Sequence, residues 1–518
     1  MAEPRIFVNI AAYRDTECQW TVKDLFEMAR EPARLAVGLC WQFVPGDDDD
    51  CFLFRTRPEQ VRTIELHAKD SRGVCWARHR TQGLWQGEDY TLQIDSHMRF
   101  VEHWDDKLLA MLAACPSDKA VLSSYPPTYV PPDQLGEPAT SRMFAQNFDE
   151  LGVLKLHSYS QNAKDAPAAP EKNPFCAAGF LFGPSTIIGE VPYDPHLYFQ
   201  GEEITLAARL WTHGWDIYSP NGVILYHDYT KRPARPRHWH DHAAWTKANQ
   251  QSCARVRHLL GMESATDPDA LAEIERYGLG AARSLAEYQA FSGVDFARRL
   301  INGKTSEEIE ASAPVEERRK RHVDTFTQIW SSNGWGNDET RSGAGSSIAA
   351  TEAIRAELPK LFDFLGVETL IDAGCGECNW VSRISERLRL YLGYDLVPEM
   401  LEAARQKYGR RRGHFFAEAD IVLDLLPQAD AILCRDVLTH LPLLEAKEAL
   451  GRFKQSGARY LIATSFERDR NDAVKTGGWQ PMALCAPPFS LPPPRHLVSE
   501  RLAGASKALG VWLLKDLP

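Results

Sequence analysis

The chain has 518 residues, which is too long for one ordinary hydrophobic core, so we expect two or three domains. Hydrophobic residues make up 44% and charged residues 25%, a composition typical of globular proteins and not of disordered or fibrous ones. The formal net charge is −11, and no long basic run appears beyond residues 318–321. Because phosphate neutralisation needs a concentrated basic face, these values argue against a nucleic-acid-binding surface.

The N-terminal sequence MAEPRIFVNIAAY lacks the basic and apolar segments of a signal peptide. No apolar stretch is long enough to predict a membrane span. The 11 cysteines are odd in number and lack a disulfide-like spacing, and Cys40 and Cys434 lie inside apolar runs. Reduced thiols in a cytosol fit this pattern best, so we expect a cytoplasmic protein.

Strand-like and helix-like segments alternate between about residues 5 and 230, which predicts a mostly parallel α/β sheet. Proline, alanine and polar residues dominate 133–170, which we predict to be a long loop over that sheet. Residues 238–300 are predicted to be mainly helical and to extend a first domain that covers 1–300. The predicted strands are RIFVNIAAY, RLAVGLCWQ, VRTIEL, YTLQID, AVLSSY and GVILYH.

A charged segment, 301–325, follows and marks a domain boundary, either as a helical connector or as a flexible linker. The remaining residues, 326–518, contain a second α/β series that is long enough for a separate doubly wound domain. Its predicted strands are TLIDAGCG, LYLGYDL, HFFAEADI, DAILCRDV and YLIATSF.

The segment TLQIDSHMRF alternates apolar and polar residues at Leu92 and Ile94, which predicts a strand that ends at Asp95 and His97. For an isolated Asp-x-His, a solvated turn is the alternative. A second predicted strand ends on His227. Open α/β sheets bind ligands beyond the carboxyl ends of strands, so these side chains form a candidate O/N ligand set for Mn²⁺ or a similar cation. Such an ion would neutralise the charge on a departing diphosphate.

Four long segments within residues 5–300 carry a family resemblance: IFVNIAAYRDTECQWTV, CWARHRTQGLWQGEDYTLQIDSHMRF, YFQGEEITLAARLWTHGWDIYSPNGVILYH and YGLGAARSLAEYQAFSGVDF. They resemble the cytoplasmic α-N-acetylglucosaminyltransferases that modify hydroxyproline on a polypeptide. That family is similar to the mucin-type polypeptide N-acetylgalactosaminyltransferases, which hold Mn²⁺ with an Asp-x-His and a distant His. The resemblance implies a retaining enzyme with the GT-A nucleotide-sugar-binding fold, UDP-N-acetylglucosamine as donor and a divalent metal held by Asp95, His97 and His227.

The resemblance also implies roles for residues outside the metal site. Tyr13, Arg14 and Asp15, at the end of the first strand, would line the uridine pocket. Arg78 would meet the nucleotide, the alternative being an exposed cation on a helix. Same-face attack, in which the leaving diphosphate takes the acceptor proton, would make a separate general base unnecessary.

Two helix starts in this region carry further candidate residues. Glu202 and Glu203 follow Gly201, and one of them would hold the sugar or the acceptor, although acids are favoured at a helix N-terminus for dipole reasons alone. In HWHDH, His238 and His242 are spaced i, i+4, but a third ligand of obvious spacing is lacking, so we favour a solvated helix start over a metal site.

The segment TLIDAGCGECNW places Asp372, Gly374 and Gly376 directly after a predicted strand. Small residues there let the backbone approach a ligand closely, as nucleotide-binding loops do. Asp395 and Asp420 follow the next two predicted strands, and this series of acids makes the pattern specific.

The series resembles the class I S-adenosylmethionine-dependent methyltransferases over roughly residues 340–518, which implies a Rossmann-like fold and S-adenosylmethionine as cofactor. Asp395 would then hold the ribose hydroxyls, and Asp420 would lie where the adenine amino group binds. Cys378 stands where many members carry a third glycine. The spacing of Cys375 and Cys378 leaves redox chemistry or zinc as an alternative.

Asp436 and His440, in DAILCRDVLTHLP, are spaced i, i+4 at the place where the methyl acceptor usually lies. They would steer or deprotonate a hydroxyl, the alternative being a helix cap and an exposed histidine. The segment lacks the Asp/Asn-Pro-Pro-aromatic pattern of enzymes that methylate flipped-out bases, so a sugar hydroxyl is the better acceptor.

We therefore predict a bifunctional glycosyltransferase and O-methyltransferase that adds N-acetylglucosamine to a glycan and methylates the same glycan, in surface polysaccharide biosynthesis. One alternative is glycosylation of hydroxyproline on a protein acceptor. Another is a non-catalytic scaffold that binds nucleotide sugar and S-adenosylmethionine, against which the metal ligands and the acidic strand ends count.

Overall fold

A computed structural model of the protein describes residues 3–230, 236–336, 338–500 and 506–518. The chain divides into two compact units, Met1–Ser306 and Glu307–Pro518. Among the described residues, no helix combines the length and apolarity needed to cross a bilayer.

The first unit is built on a mixed sheet with helices packed against it. Its strands are β1 Ile6–Tyr13, β2 Leu35–Phe43, β3 Val61–His67, β4 Tyr90–Asp95, β5 Met98–Phe100, β6 Ala120–Ser123, β7 Tyr129–Val130, β8 Gln134–Leu135, β9 Ala139–Phe148, β10 Leu154–Asn162, β11 Glu171–Lys172, β12 Phe180–Pro184, β13 Asp216–Ser219, β14 Leu225–His227, β15 Val294–Asp295 and β16 Leu300–Ile301. Its helices are α1 Cys18–Glu27, α2 Val74–Gln82, α3 Trp104–Ala113, α4 Thr186–Glu190, α5 Glu202–Thr212, α6 His238–Asp241, α7 Trp245–Leu259 and α8 Leu285–Ser292.

The eight-stranded sheet of this unit has the order β11-β13-β6-β12-β4-β1-β2-β3. β1 pairs in parallel with β2 and β4, and its neighbouring residues Phe7 and Val8, which point to opposite faces of the sheet, are both fully buried because both faces are covered. β12 runs antiparallel to β4 and β6, so the sheet is less uniformly parallel than the sequence predicts. All six predicted strands are present.

Two expectations for this unit are wrong in part. The predicted long loop, 133–170, contains the antiparallel hairpin of β9 and β10. This hairpin forms its own two-stranded sheet with many exposed positions, so it lacks the apolar pattern that would reveal strands. The predicted helical extension, 238–300, contains α6, α7 and α8 but also the short strand β15, and turns and bends occupy most of 260–284.

The second unit is also an α/β domain. Its helices are α9 Ser306–Ala311 (at the unit boundary), α10 Val315–Ser331, α11 Glu352–Leu365, α12 Pro398–Tyr408 and α13 Leu443–Gln455. Its strands are β17 Thr369–Ala373, β18 Leu390–Asp395, β19 His414–Glu418, β20 Ala431–Cys434, β21 Tyr460–Phe466, β22 His496–Ser499 and β23 Lys507–Leu513. They form a seven-stranded sheet in the order β19-β18-β17-β20-β21-β23-β22. β23 pairs antiparallel with β21 and β22, and the other neighbouring strands pair in parallel. From β17 the next strands in the chain are added on one side of the sheet as far as β19, and β20 is then added on the other side of β17. Doubly wound sheets bind ligands at such switch points.

The charged segment between the two α/β series is helical. Its C-terminal part lies in α10, which packs on the rest of the second unit through ion pairs of Arg318 with Glu448 (2.6 Å) and of Arg319 with Asp424 (2.7 Å). The choice left open by the sequence, a helical or a flexible connector, is therefore answered in favour of helix.

Candidate active sites

Antiparallel pairing of β14 with β5 assembles a candidate metal site in the first unit. The register places His227 opposite Met98, directly after the end of β4. One ligand atom from each of Asp95, His97 and His227 then lies within 4.8 Å of the other two. The structure thus brings together the three side chains that the sequence singles out for a metal.

Asp15 orients one of these imidazoles. Its Oδ2 lies 2.8 Å from His97 Nδ1 and also accepts a hydrogen bond of 2.6 Å from Ser96 Oγ. Because a carboxylate only accepts, His97 Nδ1 carries the proton and Nε2 is the nitrogen with a coordinating lone pair. The buried Asp15 carboxylate faces His97 and Ser96, and its predicted place in the uridine pocket stays a prediction.

The Asp95 carboxylate lies between the Arg78 guanidinium and the His227 imidazole. Its Oδ1 accepts a hydrogen bond of 2.5 Å from Arg78 Nη2, and its Oδ2 lies 3.1 Å from His227 Nε2. Burial opposes ionisation, but the His227 hydrogen bond and the Arg78 charge hold the pKa of the Asp95 carboxyl well below its usual range. An ionised carboxylate with two imidazoles is a donor set that fits Mn²⁺ or a similar ion.

A cavity of about 360 Å³ opens beside this cluster and includes Tyr13 in its wall. The Tyr13 hydroxyl donates a hydrogen bond of 2.7 Å to Asp241. Arg14, which the sequence places in the same pocket, instead forms ion pairs with Asp48 (2.8 Å) and Asp241 (3.1 Å). These ion pairs link Arg14 to two acidic residues, and its predicted role at the uridine stays a prediction.

His238 also lines this cavity, which corrects the expectation of a solvated helix start. Its ring stacks on His242 with centroids 3.9 Å apart, and its Nδ1 lies 2.8 Å from the Tyr198 hydroxyl. Burial, followed by the nearby His242, lowers the pKa of His238 to about 4, so the ring is neutral at pH 7. No local sequence pattern predicts this placement, because the contacts of His238 with Tyr198 and the cavity arise from tertiary packing.

An adjoining cavity of about 330 Å³ shares Asp95 and His227 with the first one and contains the predicted acids of α5. Glu202 accepts hydrogen bonds from Arg78 (2.5 Å) and from the Tyr193 hydroxyl. Arg78 is thus a buried link between Asp95 and Glu202 and not an exposed helix cation.

Glu203 lies in the same cavity with a different environment. It accepts hydrogen bonds from the Tyr125 hydroxyl (2.5 Å) and the Ala178 backbone N–H (2.9 Å). Burial, which outweighs these hydrogen bonds, raises the pKa of Glu203 to about 7. The carboxyl therefore exchanges its proton near neutral pH, next to the candidate metal site.

In the second unit, the loop after β17 adopts a left-handed backbone at three positions. Gly374 and Gly376 have φ of +86° and +54°, and Cys378 has φ of +56°. Cys378 thus adopts the conformation that a third glycine would favour. The Gly376 N–H donates to Asp395 Oδ2 (2.8 Å), while Asp395 Oδ1 accepts from the backbone of Leu396 and Val397.

Asp372, near the end of β17, and the loop residues Cys375 and Cys378 are buried. Asp372 accepts a hydrogen bond of 2.7 Å from the Tyr391 hydroxyl, and burial raises its pKa to about 7. Burial also raises the pKa of the Cys375 thiol well above its usual value and that of Cys378 to about 12. Protonated, buried thiols are poor nucleophiles, which argues against the redox alternative. Among the described residues, no group of three potential metal ligands includes either cysteine, which argues against zinc.

A cavity of about 540 Å³ lies at the switch point and is lined by all the predicted cofactor residues of this unit: Asp372, Gly374, Gly376, Asp395 and Asp420. Asp420, which the sequence predicts to lie where the adenine amino group binds, has a protein partner as well: its Oδ2 lies 2.7 Å from Nδ1 of His322 on α10. His322 lines the cavity too, and the sequence did not single it out because it lies within the charged segment.

Asp436 and His440 also line this cavity. Asp436 accepts from Lys507 Nζ at 2.6 Å, and His440 Nδ1 lies 2.6 Å from the Gly478 carbonyl oxygen. Since a carbonyl only accepts, His440 Nδ1 is the protonated nitrogen and Nε2 is left as the acceptor. Burial lowers the pKa of His440, which keeps the ring neutral. The helix-cap alternative does not describe these two residues.

The two sheets, the metal-ligand cluster and the glycine loop define a transferase with a GT-A glycosyltransferase domain and a Rossmann-like methyltransferase domain. The sequence model of the family Glycosyltransferase (GlcNAc) matches residues 5–56 and 52–298, and that of a methyltransferase domain matches residues 371–456. The chain belongs to the GlcNAc glycosyltransferase family.

Solved structures similar to this chain each cover only part of it. GalNAc-T7 with UDP, GalNAc and Mn²⁺ shares 13% identity with a TM-score of 0.40, covering 56% of this chain and 55% of that chain. Magnesium protoporphyrin IX methyltransferase from Synechocystis PCC 6803 with bound SAH shares 16% identity with a TM-score of 0.28, covering 37% and 98%. The bacterial CtHen1-C methyltransferase domain shares 18% identity with a TM-score of 0.21, covering 23% and 66%. This chain thus spans less than two thirds of the first and third of these. No curated protein sequence matches the chain significantly.

Proposed function

We propose that this chain is a bifunctional enzyme that transfers N-acetylglucosamine from UDP-N-acetylglucosamine to a glycan and O-methylates the same glycan. The observation that carries the first activity is the convergence of Asp95, His97 and His227, with His97 oriented by Asp15. These three side chains would hold Mn²⁺ or a similar ion, which supplies neutralisation of the diphosphate charge when bound.

Residues around the cluster then take distinct roles in sugar transfer. Tyr13 and the neutral His238 form walls for the uridine, and the buried Arg78 fixes Asp95 and Glu202 in place. Glu202 and Glu203, at the start of α5, hold the sugar or the acceptor. Transfer with retention at the anomeric carbon needs no further base, because the leaving diphosphate accepts the acceptor proton.

The methyltransferase activity is supported by the residues that line the 540 Å³ cavity of the second unit. S-adenosylmethionine would lie over the loop of Gly374 and Gly376 with its ribose at Asp395. The neutral His440, held through Nδ1 by Gly478, presents Nε2 as the base that takes the proton of a hydroxyl during methyl transfer. Asp436, paired with Lys507, steers that hydroxyl.

A glycan acceptor is favoured by exposed aromatic side chains at the cavities of the first unit. Phe199 lines both cavities and is 52% exposed, and Tyr229 is 48% exposed. Large ring faces at a polar cavity suit the apolar faces of sugar rings. The opposing candidate, hydroxyproline on a protein, is favoured by the resemblance of the first domain.

The experiment is a transfer assay with labelled nucleotide sugars and two acceptor sets, fragments of a surface polysaccharide and hydroxyproline peptides. The proposal expects labelled glycan from UDP-N-acetylglucosamine and no labelled peptide. Labelled peptide alone would replace the glycan with a protein acceptor. Absence of turnover with both sets, together with binding of both UDP-N-acetylglucosamine and S-adenosylmethionine, would favour the non-catalytic scaffold.

A further inference from the structure

A buried imidazole links helix α10 to the cofactor cavity of the second unit. His322 Nδ1 lies 2.7 Å from Asp420 Oδ2, and His322 Nε2 lies 3.0 Å from Glu445 Oε1. All three residues are at most 2% exposed. His322 and Asp420 both line the cavity, whereas the match to the methyltransferase-domain family begins only at residue 371.

The charges around His322 favour its protonated form. Burial opposes ionisation, but the hydrogen bonds and charges of Asp420 and Glu445 raise the pKa of His322 to about 9. Arg321 and Arg318 also face Glu445, at 3.0 and 3.6 Å. An imidazolium uses both N–H groups as donors, so His322 donates to Asp420 and Glu445 and holds both carboxyl groups in place.

We propose that His322 is a positioning residue of the cofactor site, which fixes the Asp420 carboxylate as the hydrogen-bond acceptor for the exocyclic amino group of adenine. Helix α10 thereby becomes one wall of the nucleoside pocket. This inference rests on the proposed function, in which S-adenosylmethionine occupies the cavity.

The carboxylate has acceptor capacity left for the base. Asp420 Oδ1 accepts from the Val422 backbone N–H (2.9 Å) and Oδ2 from His322, and each carboxylate oxygen offers a second lone pair. An amino group therefore binds here, whereas the carbonyl oxygen of hypoxanthine at the same position would face an anion. The site should prefer S-adenosylhomocysteine to its deaminated analogue, S-inosylhomocysteine.

Two substitutions of His322 each retain one of its two hydrogen bonds and remove the other. In His322→Asn, the amide nitrogen replaces Nδ1 and retains the donor to Asp420, while the bond to Glu445 is lost. In His322→Gln, the amide nitrogen replaces Nε2, so the bond to Glu445 is retained and the bond to Asp420 is lost. Loss of a hydrogen bond to a charged group costs roughly ten- to a hundredfold in affinity.

The test is calorimetry of both homocysteine ligands with the full-length wild type and both variants. We expect His322→Gln to reduce the preference for S-adenosylhomocysteine by about tenfold or more, and His322→Asn to retain most of that preference. Arg319→Ala removes another ion pair of α10, with Asp424, and should leave the preference unchanged. A merely structural role of His322 would lower the affinity for both ligands equally.

The outcomes separate this inference from the function on which it rests. A wild type that binds neither homocysteine ligand contradicts the proposed methyltransferase site itself. If the wild type binds S-adenosylhomocysteine but the two His322 variants prefer it over S-inosylhomocysteine to the same extent, only the role of His322 is overturned. If the glutamine variant does not fold, ¹⁵N resonances of wild-type His322 serve instead: an imidazolium at pH 7.5 that responds to S-adenosylhomocysteine is expected, and a neutral, unresponsive ring overturns the inference.

Discussion

His97 Nδ1 lies 2.8 Å from Asp15 Oδ2, although 82 residues separate the two in the chain. Residues that orient a ligating histidine typically contribute ten- to a hundredfold to metal affinity. We therefore expect Asp15→Ala to raise the Mn²⁺ concentration for half-maximal turnover of UDP-N-acetylglucosamine by about that factor. Asp106→Ala, which removes a partially exposed carboxylate paired with Arg34, is the control. An unchanged Mn²⁺ dependence in Asp15→Ala would rule out this role.

Glu203 should make the stability of the first unit depend on pH. Its carboxyl pKa is raised from the ordinary 4.5 to about 7, so the folded state retains a proton that the unfolded state has released. Stability contributed by this group therefore falls as pH rises from 4.5 through 7, by up to roughly 3 kcal/mol. Glutamine has no titratable proton, so Glu203→Gln removes this decrease in stability with rising pH.

The measurement for Glu203 is thermal unfolding of wild type and Glu203→Gln between pH 5 and pH 8. The melting temperature of the glutamine variant, relative to wild type, should increase with pH. A constant difference across this range would show that the folded-state pKa of Glu203 is not raised.

Alanine at either glycine of the β17 loop should abolish S-adenosylmethionine binding. A Cβ on Gly374 would lie 2.4 Å from Val437 Cγ2, and one on Gly376 would lie 2.2 Å from Ser342 Oγ. Both glycines also have positive φ, which is costly for alanine. Gly451→Ala, in α13 with no neighbouring atom within 4 Å, is the matched control. Wild-type cofactor affinity in both loop variants would contradict the placement of the cofactor against this loop.

Asp395→Ala should weaken S-adenosylmethionine binding while sugar transfer persists. Losing charge-assisted hydrogen bonds to the ribose costs about 1.5–3 kcal/mol, roughly ten- to a hundredfold in affinity. Calorimetry on the full chain measures this, since a fragment that starts at residue 325 would cut α10 and remove His322. Unchanged affinity would mean that Asp395 only anchors the loop through the Gly376 N–H.

The sequence predicted the strands and the residues at their ends, because both follow from local patterns. Asp95 and His97 end a strand with clear alternation, and Asp372 and Asp395 follow strands of the second series. The fold class and both family resemblances are confirmed. The chemical roles of the individual residues stay predictions.

Contacts between distant segments had no local signal. His322 meets Asp420 across 98 residues, and His440 meets Gly478 across 38. Each pair forms because packing of a helix or a long connection brings the two segments together, and no periodicity in either segment reports on its partner. The β9–β10 hairpin was missed for a related reason, since its exposed strands lack the apolar alternation that burial imposes.

The central claim is that one chain carries a metal-dependent sugar-nucleotide site and a separate S-adenosylmethionine site. The most direct measurement is turnover of UDP-N-acetylglucosamine by purified wild type and Asp95→Ala, with Mn²⁺ and with EDTA, alongside S-adenosylmethionine calorimetry on the same preparations. We predict turnover only in wild type with Mn²⁺, and equal S-adenosylmethionine affinity in both proteins. Full turnover in EDTA, or loss of S-adenosylmethionine binding in Asp95→Ala, would contradict the claim.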